Sequence, residues 1–459
     1  MAESVGLLGV SKSFYRCLGI ISSSTWLTFT GFAQIQGSAG QEGTKPFTAT
    51  VAIREGYDSN PLTAPYTPNA NSNPPGKEPQ SSTYTSIQPS LGYNYIGLQA
   101  DAALRYDFSG TYYPSLNQEY DIQYAQTFVG RYTYAIDPRT SFTLANNFLY
   151  TEQPLVAQFV QAGLPPVFNT STINNLATAQ ADYRVTDRLS MITRWNNTLI
   201  YLGGNSSNGN YMNNGAFQQF RLDFTPETVG TFSFDYQIYD YDNDNAYRDN
   251  QQASFSLGAD HTFLPELFFS GRVGIQLNDN FGLTDNDAII DAGGMGSGEQ
   301  EIGASPFASI SSTWNYEQNS FVSAGFSMQV QQSNLSTQAD SEAYTFNLNW
   351  DHQFTEKFSV IQSFFINLAQ FTPELSQDQT TALFISQGQS PVQAATQYKG
   401  SGTQTTVTYQ FKFAYQFFPY LSAEFGWSYT SYGSYFDLNN GNSGSYTRNQ
   451  VYLGLRGTY

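Results

Sequence analysis

The sequence predicts an all-β chain folded as a single transmembrane antiparallel β-barrel of about 18 strands (16–20), with short periplasmic turns and long extracellular loops. Three observations predict it. Apolar and polar residues alternate over many successive segments. The links between those segments are short and long in turn. Charged residues within the segments keep to one of the two faces.

Alternation is the period of a strand with one apolar and one polar face. At about 3.3 Å per residue, a strand of about 13 residues is about 43 Å long; tilted by about 40°, it crosses a membrane with some overhang. Soluble strands are nearer 5–6 residues. The composition agrees. Charged residues make up 12% of the 459 residues, Tyr and Phe number 33 and 36, and mean hydropathy is −0.38. Half of every strand facing lipid and half facing water gives such a mixture. A formal charge of −18 argues against a nucleic-acid partner and against a basic helix on a lipid surface.

The first segment reads as an export signal. Lys12 and Arg16 form a basic region, residues 17–33 are uncharged and moderately apolar, and Gly31-Phe32-Ala33 suits a signal peptidase cutting before Gln34. The expected organisation is therefore a cleaved signal peptide over 1–33, a short periplasmic segment over 34–45, and the barrel over 46–459. The sole cysteine, Cys17, falls within the signal, so no disulfide is expected. No later segment has 18 consecutive apolar residues.

Strands are expected near 46–58, 83–95, 97–109, 118–134, 141–151, 173–185, 189–201, 215–225, 229–241, 251–263, 267–279, 302–314, 320–332, 342–354, 358–371, 405–417, 421–433 and 446–459. In the clearest, Val407, Tyr409, Phe411, Phe413, Tyr415 and Phe417 alternate with Thr406, Thr408, Gln410, Lys412 and Gln416. The weakest are 173–185, whose apolar side is mostly alanine, and 320–332. The short links, such as 186–188 (TDR), 226–228 (PET) and 355–357 (TEK), carry the Pro, Asp and charged residues of tight turns. The long ones, such as 59–82, 152–172, 280–301 and 372–404, are rich in Asn, Gly, Ser, Gln and Pro. An even strand number puts both ends of the barrel on the periplasmic side.

In the last stretch Val451, Leu453, Leu455, Gly457 and Tyr459 fall on one side, and Gln450, Tyr452, Gly454, Arg456 and Thr458 on the other. Tyr459 is expected to anchor the closing strand at the inner interface and to act as an assembly signal for the barrel-assembly machinery. Outward aromatics form two expected girdles: Tyr134, Phe224, Phe263, Phe354, Phe417 and Tyr459 toward the periplasm, Tyr57, Tyr120, Tyr150, Tyr201 and Tyr429 toward the outside.

A charged residue facing lipid at mid-depth costs about 2–4 kcal/mol for Arg or Lys. Arg54, Arg105, Arg131, Arg184, Arg194, Arg221, Arg272, Lys412 and Arg456 all fall on the polar side of their strands, as do Asp101, Asp107, Asp121, Asp182, Asp223, Asp235, Asp260, Asp351 and Glu424. Glu55 and Asp240 are exceptions near outer strand ends. Of these, Arg54, Arg105, Arg194, Arg221, Arg272, Lys412, Asp101, Asp235 and Arg456 are the expected pore lining. One wall is expected to be basic and the sector of strands 12 to 15 acidic. Loop 280–301, with its Gly293–Gly298 run and Asp285, Asp287 and Asp291, is the candidate constriction, giving a modest cation preference.

No enzyme is expected. The only histidines, His261 and His352, point outward near short turns, and neither has a serine two residues away. No nucleophile elbow, phosphate loop or Cys/His cluster occurs, and no cofactor is expected. Asp240, Asp242 and Asp244 have calcium-loop spacing, but Asn245 and Gln251 replace the Gly and Glu such a loop requires, so a solvated acidic loop is expected.

The ending of the first strand, Gly56-Tyr57-Asp58-Ser59-Asn60-Pro61, the turn Tyr183-Arg184-Val185-Thr186-Asp187-Arg188-Leu189 and the aromatic C-terminus resemble a family of β-barrel porins of Gram-negative-type bacteria, the second family of that name. The resemblance covers about residues 46 to 459 and implies a bacterial outer-membrane location, with membrane lipid around the barrel and small hydrophilic solutes diffusing through it. An export channel for a secreted polysaccharide and a plugged anchor barrel are the alternatives. The sequence offers Tyr452 as an inward aromatic that a sugar path would need.

Overall fold

The computed structural model describes residues 46–64, 79–116, 121–152, 171–203, 210–242, 248–279, 303–332, 340–371, 377–386, 390, 401–436 and 445–459. The strands are β1 (Phe47–Asp58), β2 (Ser82–Ile96), β3 (Ala100–Tyr112), β4 (Ile122–Asp137), β5 (Thr140–Thr151), β6 (Thr172–Arg184), β7 (Leu189–Leu202), β8 (Tyr211–Asp223) and β9 (Thr228–Tyr241). The second half adds β10 (Asn250–Leu264), β11 (Leu267–Asp279), β12 (Gly303–Glu317), β13 (Ser320–Gln332), β14 (Asp340–Thr355), β15 (Phe358–Phe371), β16 (Gly402–Phe418), β17 (Leu421–Phe436) and β18 (Tyr446–Thr458). Among the described residues one helix, α1 (Gln377–Ser386), lies in the link between β15 and β16.

Every strand pairs antiparallel with its neighbours in sequence, and β1 also pairs with β18, so the 18-stranded sheet has no free edge. Closure satisfies all backbone groups without water, which is how β-structure crosses a bilayer. Val51, Ile53, Leu91, Leu257, Val273 and Leu453 are among the exposed apolar side chains of the outer surface. With the membrane-crossing strand length, this fold and apolar belt place the chain in a bacterial outer membrane. No described helix is long and apolar enough to cross a membrane.

Three of the short turns share a local cause. The hydroxyl of Thr186 accepts hydrogen bonds from the backbone N–H of Arg188 and Leu189; Thr225 does so for Glu227 and Thr228, and Thr355 for Lys357 and Phe358. A threonine two or three residues ahead thus substitutes for a backbone acceptor and fixes the reversal. Asn319, with φ of 62°, occupies the left-handed region in the turn between β12 and β13.

The boundaries of β3, β4, β8, β12, β16 and β17 differ from the sequence pattern by three or four residues. Leu98 lies in a turn, fully exposed, and β3 starts at Ala100. The N–H of Gly97 donates to the carbonyl of Ala100 at 2.8 Å, so Gly97 to Gln99 turn the chain. β8 starts at Tyr211, four residues before the expected 215, because its pairing with β9 continues through Asn214, Asn213 and Met212 to Tyr211 opposite Tyr241.

Candidate functional site: the lumen wall

Strand alternation carries each expected lining residue to the inner face: Arg54 on β1, Asp101 and Arg105 on β3, Arg194 on β7, Arg221 on β8, Asp235 on β9, Arg272 on β11, Lys412 on β16 and Arg456 on β18. They do not act singly. Glu424 of β17, buried at 2% exposure, receives Arg54 at 3.0 Å, Lys412 at 3.1 Å and Arg456 at 2.5 Å. One carboxylate shared by three cations leaves an excess of two positive charges. The Arg54 guanidinium also lies 4.5 Å from the centre of the Tyr452 ring, a favourable cation–π placement. Its Nε finds no hydrogen-bond partner.

A second cluster is built the same way. Asp260 of β10 receives Arg221 at 3.2 Å and Arg272 at 3.2 Å, and Ser270 links the pair by donating to Asp260 and accepting from Arg272. Two cations on one carboxylate leave an excess of one. β8 to β11 lie about half the circle away from β16, β17, β18 and β1, so the clusters face one another across the lumen. The expected single basic wall is therefore corrected to two opposed basic clusters. Arg105 instead pairs with Asp107 two residues along at 3.0 Å, Asp235 accepts from Gln237 at 2.7 Å, and Arg194 stacks over Phe217 at 4.5 Å.

The expected acidic sector is only partly in place. Asp351 faces inward on β14, but Glu342 lies outward, accepting from the Tyr344 hydroxyl at 3.3 Å. The candidate constriction residues Asp285, Asp287 and Asp291 lie outside the described residues, as do residues 1–45, Tyr120 and Asp244.

The outer half of the lumen wall holds aromatics that, Tyr452 apart, the sequence pattern missed. Tyr211, Tyr239 and Tyr241 pack with Ile200 and Leu202. Tyr432 stacks on Tyr446 at 5.7 Å beside Phe365. Tyr84 and Tyr113 pack with Leu62 and Leu116, with Tyr452 against them. The signal was present: each lies in the polar register of its strand, or just beyond it, where a tyrosine reads as an ordinary polar residue. All of these except Tyr452 are buried, so they pack the mouth and present no free face to a sugar. Burial pushes the Tyr113 hydroxyl well above its ordinary pKa. In α1, Thr380 and Leu383 are fully buried, so that helix packs against the protein.

Both histidines lie outward at the short-turn end. The His261 Nδ1 is 2.8 Å from the Thr228 hydroxyl, and the His352 Nδ1 is 2.8 Å from the Tyr316 hydroxyl, which also accepts from Trp350 Nε1. Phe263 and Phe354 stand edge-on to the two rings. These are contacts of an interfacial belt. Among the described residues, no group of three or more His, Cys, Asp or Glu is placed to hold a metal ion.

The motif from Gly56 to Pro61 lies at the barrel seam. Asp58 is fully buried against Arg448 of β18, and Asn60 bonds both the N–H and the carbonyl of Ala64. The motif that carries the family resemblance is thus a structural closure.

No protein-family model matches the chain. No curated protein matches it. Among solved structures, the chain is similar to the outer membrane protein opdK from Pseudomonas aeruginosa, at 8% identity and a TM-score of 0.42, over 90% of this chain and 99% of that one. It is also similar to the FrpB iron transporter from Neisseria meningitidis (F5-1 variant), at 8% identity and a TM-score of 0.41, over 91% of this chain and 83% of that one. The chain is an outer-membrane β-barrel, and no specific family is shown.

Proposed function

We propose that the barrel is a passive channel for small hydrophilic solutes, inserted by the barrel-assembly machinery and surrounded by lipid. The observation that carries this reading is the pair of opposed ion clusters. Arg54, Lys412 and Arg456 keep 13–20% of their side chains exposed toward the lumen, and charged groups inside a barrel are stable where water reaches them. An 18-stranded barrel is wide enough for an aqueous path. No catalytic step belongs to this reading. Polysaccharide export is disfavoured because the tyrosines of the outer half of the lumen wall, apart from Tyr452, are enclosed.

Conductance across a planar bilayer tests it. Discrete current steps proportional to voltage in KCl are expected from the purified folded barrel. A correctly folded barrel that inserts and passes no ions would support a plugged anchor instead.

A further inference from the structure

The outer surface of β5 to β8 differs from the rest of the wall. Asn146, Asn175, Asn197 and Asn214 stand outward on four consecutive strands, on the same side as the exposed Leu144, Trp195 and Leu199. The register sets Asn146 beside Ala177, Ala177 beside Asn197, and Asn197 beside Asn214. A polar row therefore crosses the panel. Tyr150 and Tyr201 of the outer aromatic girdle lie four residues further along β5 and β7, so the row runs inside the apolar band rather than at its edge.

A carboxamide in hydrocarbon is costly unless its donors and acceptors are met. Here they are met only in part. Asn146 Nδ2 donates to Asn175 Oδ1 at 3.0 Å, Asn197 Nδ2 to Asn214 Oδ1 at 3.0 Å, and the Thr193 hydroxyl to Gln218 Oε1 at 2.7 Å. Each amide has two N–H groups and two acceptor positions, so one bond per pair leaves most of that capacity over. Gln218 Nε2 is enclosed and has no partner. By contrast, the outward Gln126 and Gln362 each accept from a tyrosine hydroxyl, Tyr106 and Tyr409, at 3.3 Å. Ala177, Ala179 and Ala181 keep the centre of the panel shallow, so another surface can come close to the sheet. This is the strand whose apolar side is weakest in the sequence.

We propose that the face of β5 to β8 is an interface with a second copy of this chain within the membrane. Whatever covers it must lie in the bilayer and offer amide donors and acceptors together. Lipid chains offer neither. The same asparagine row offers both, so two copies related by a twofold axis present each other with matching groups. The proposal is independent of the channel reading, because its test reads mass and covalent linkage, not current.

Native mass spectrometry of the folded barrel in mild detergent is the first measurement. A multimer is expected for the wild type, and a folded monomer, judged by its heat-modifiable gel band, for the Asn146→Leu, Asn197→Leu, Asn214→Leu variant. Disulfide trapping keeps the test decisive if that variant fails to fold. The chain has one cysteine, Cys17, in the segment expected to be removed. Ala179→Cys should give a covalent dimer on oxidation in membranes, and Leu453→Cys, on the far side, should not. A wild type found only as monomer, with or without bound lipid, overturns the proposal. So does a triple variant that stays multimeric, or equal dimer from both cysteine variants.

Discussion

Arg448, at the outer end of the last strand, donates from Nε and Nη2 to the carboxylate of Asp58, at the outer end of the first, at 2.6–3.1 Å. Gln450 Nε2 and the backbone N–H of Asn60 add bonds of 2.8 and 3.0 Å to the same carboxylate. Removing one member of a buried, hydrogen-bonded pair leaves the other as an uncompensated charge, at about 3–5 kcal/mol. Asp58→Ala should therefore lower unfolding free energy by about that amount, read from the urea midpoint in detergent. Replacing both residues with apolar ones should recover part of the loss. A midpoint unchanged by Asp58→Ala would show the pair to be dispensable.

Gly56 sits on the same seam, and its lack of a side chain is required by space. A Cβ there would lie 2.4 Å from the backbone oxygen of Val451 and 2.6 Å from the Tyr84 ring. The first contact is with backbone and cannot be relieved by a rotamer change. Gly56→Ala should reduce the folded fraction more than a substitution at Gly433, where a Cβ meets nothing within 4 Å. Gel bands from parallel refolding reactions give the comparison, and equal yields would contradict it.

The ion clusters set an expected selectivity. Three cations around Glu424 and two around Asp260 favour anions at these two clusters, an effect reduced by the inward Asp351 near Lys412 and Asp182 near Arg221. Under a KCl gradient, the reversal potential should move toward anions in Glu424→Gln and toward cations in the Arg54→Gln, Lys412→Gln double variant. The acidic 280–301 loop pulls the other way. A wild-type cation preference that disappears on changing Asp285, Asp287 and Asp291 to Asn would assign selectivity to that loop, and the wall would then be secondary.

Tyr459 and Thr458 offer a contrast between neighbours. Tyr459 exchanges backbone hydrogen bonds with Ala49 at 2.8 and 3.2 Å, and its ring is 84% exposed toward lipid. Thr458 faces inward. Tyr459→Ser should slow assembly into liposomes, followed by the appearance of the folded band, while Thr458→Ser should not. Equal rates would remove the interfacial role given to the ring.

Most of the barrel was legible because its two repeating constraints, side-chain period and link length, are local. β11 and β13, for instance, fall at the residues that alternation picks out. Boundaries slipped where a turn mimics a strand, as at Leu98. The inward direction of Arg54 or Lys412 was also legible, since parity alone decides it. What parity cannot give is partnership. That Lys412, Glu424, Arg456 and Arg54 meet depends on the register of three strand pairs, and register is set by the whole sheet. The buried tyrosines were missed for a related reason: Tyr239 and Tyr446 occupy polar positions, and only their packing with distant residues reveals them as core.

The Asp58–Arg448 pair joins residues 390 positions apart. A contact of such separation has a high entropic threshold and forms only after the intervening structure has shortened the effective loop. It also requires β18, which carries Arg448. Until β18 is made and docked, Asp58 has no counter-charge, and a product truncated before Arg448 retains an acidic group at an unsealed edge. The pair can thus form only in a finished cylinder, not in a sheet that is merely well formed.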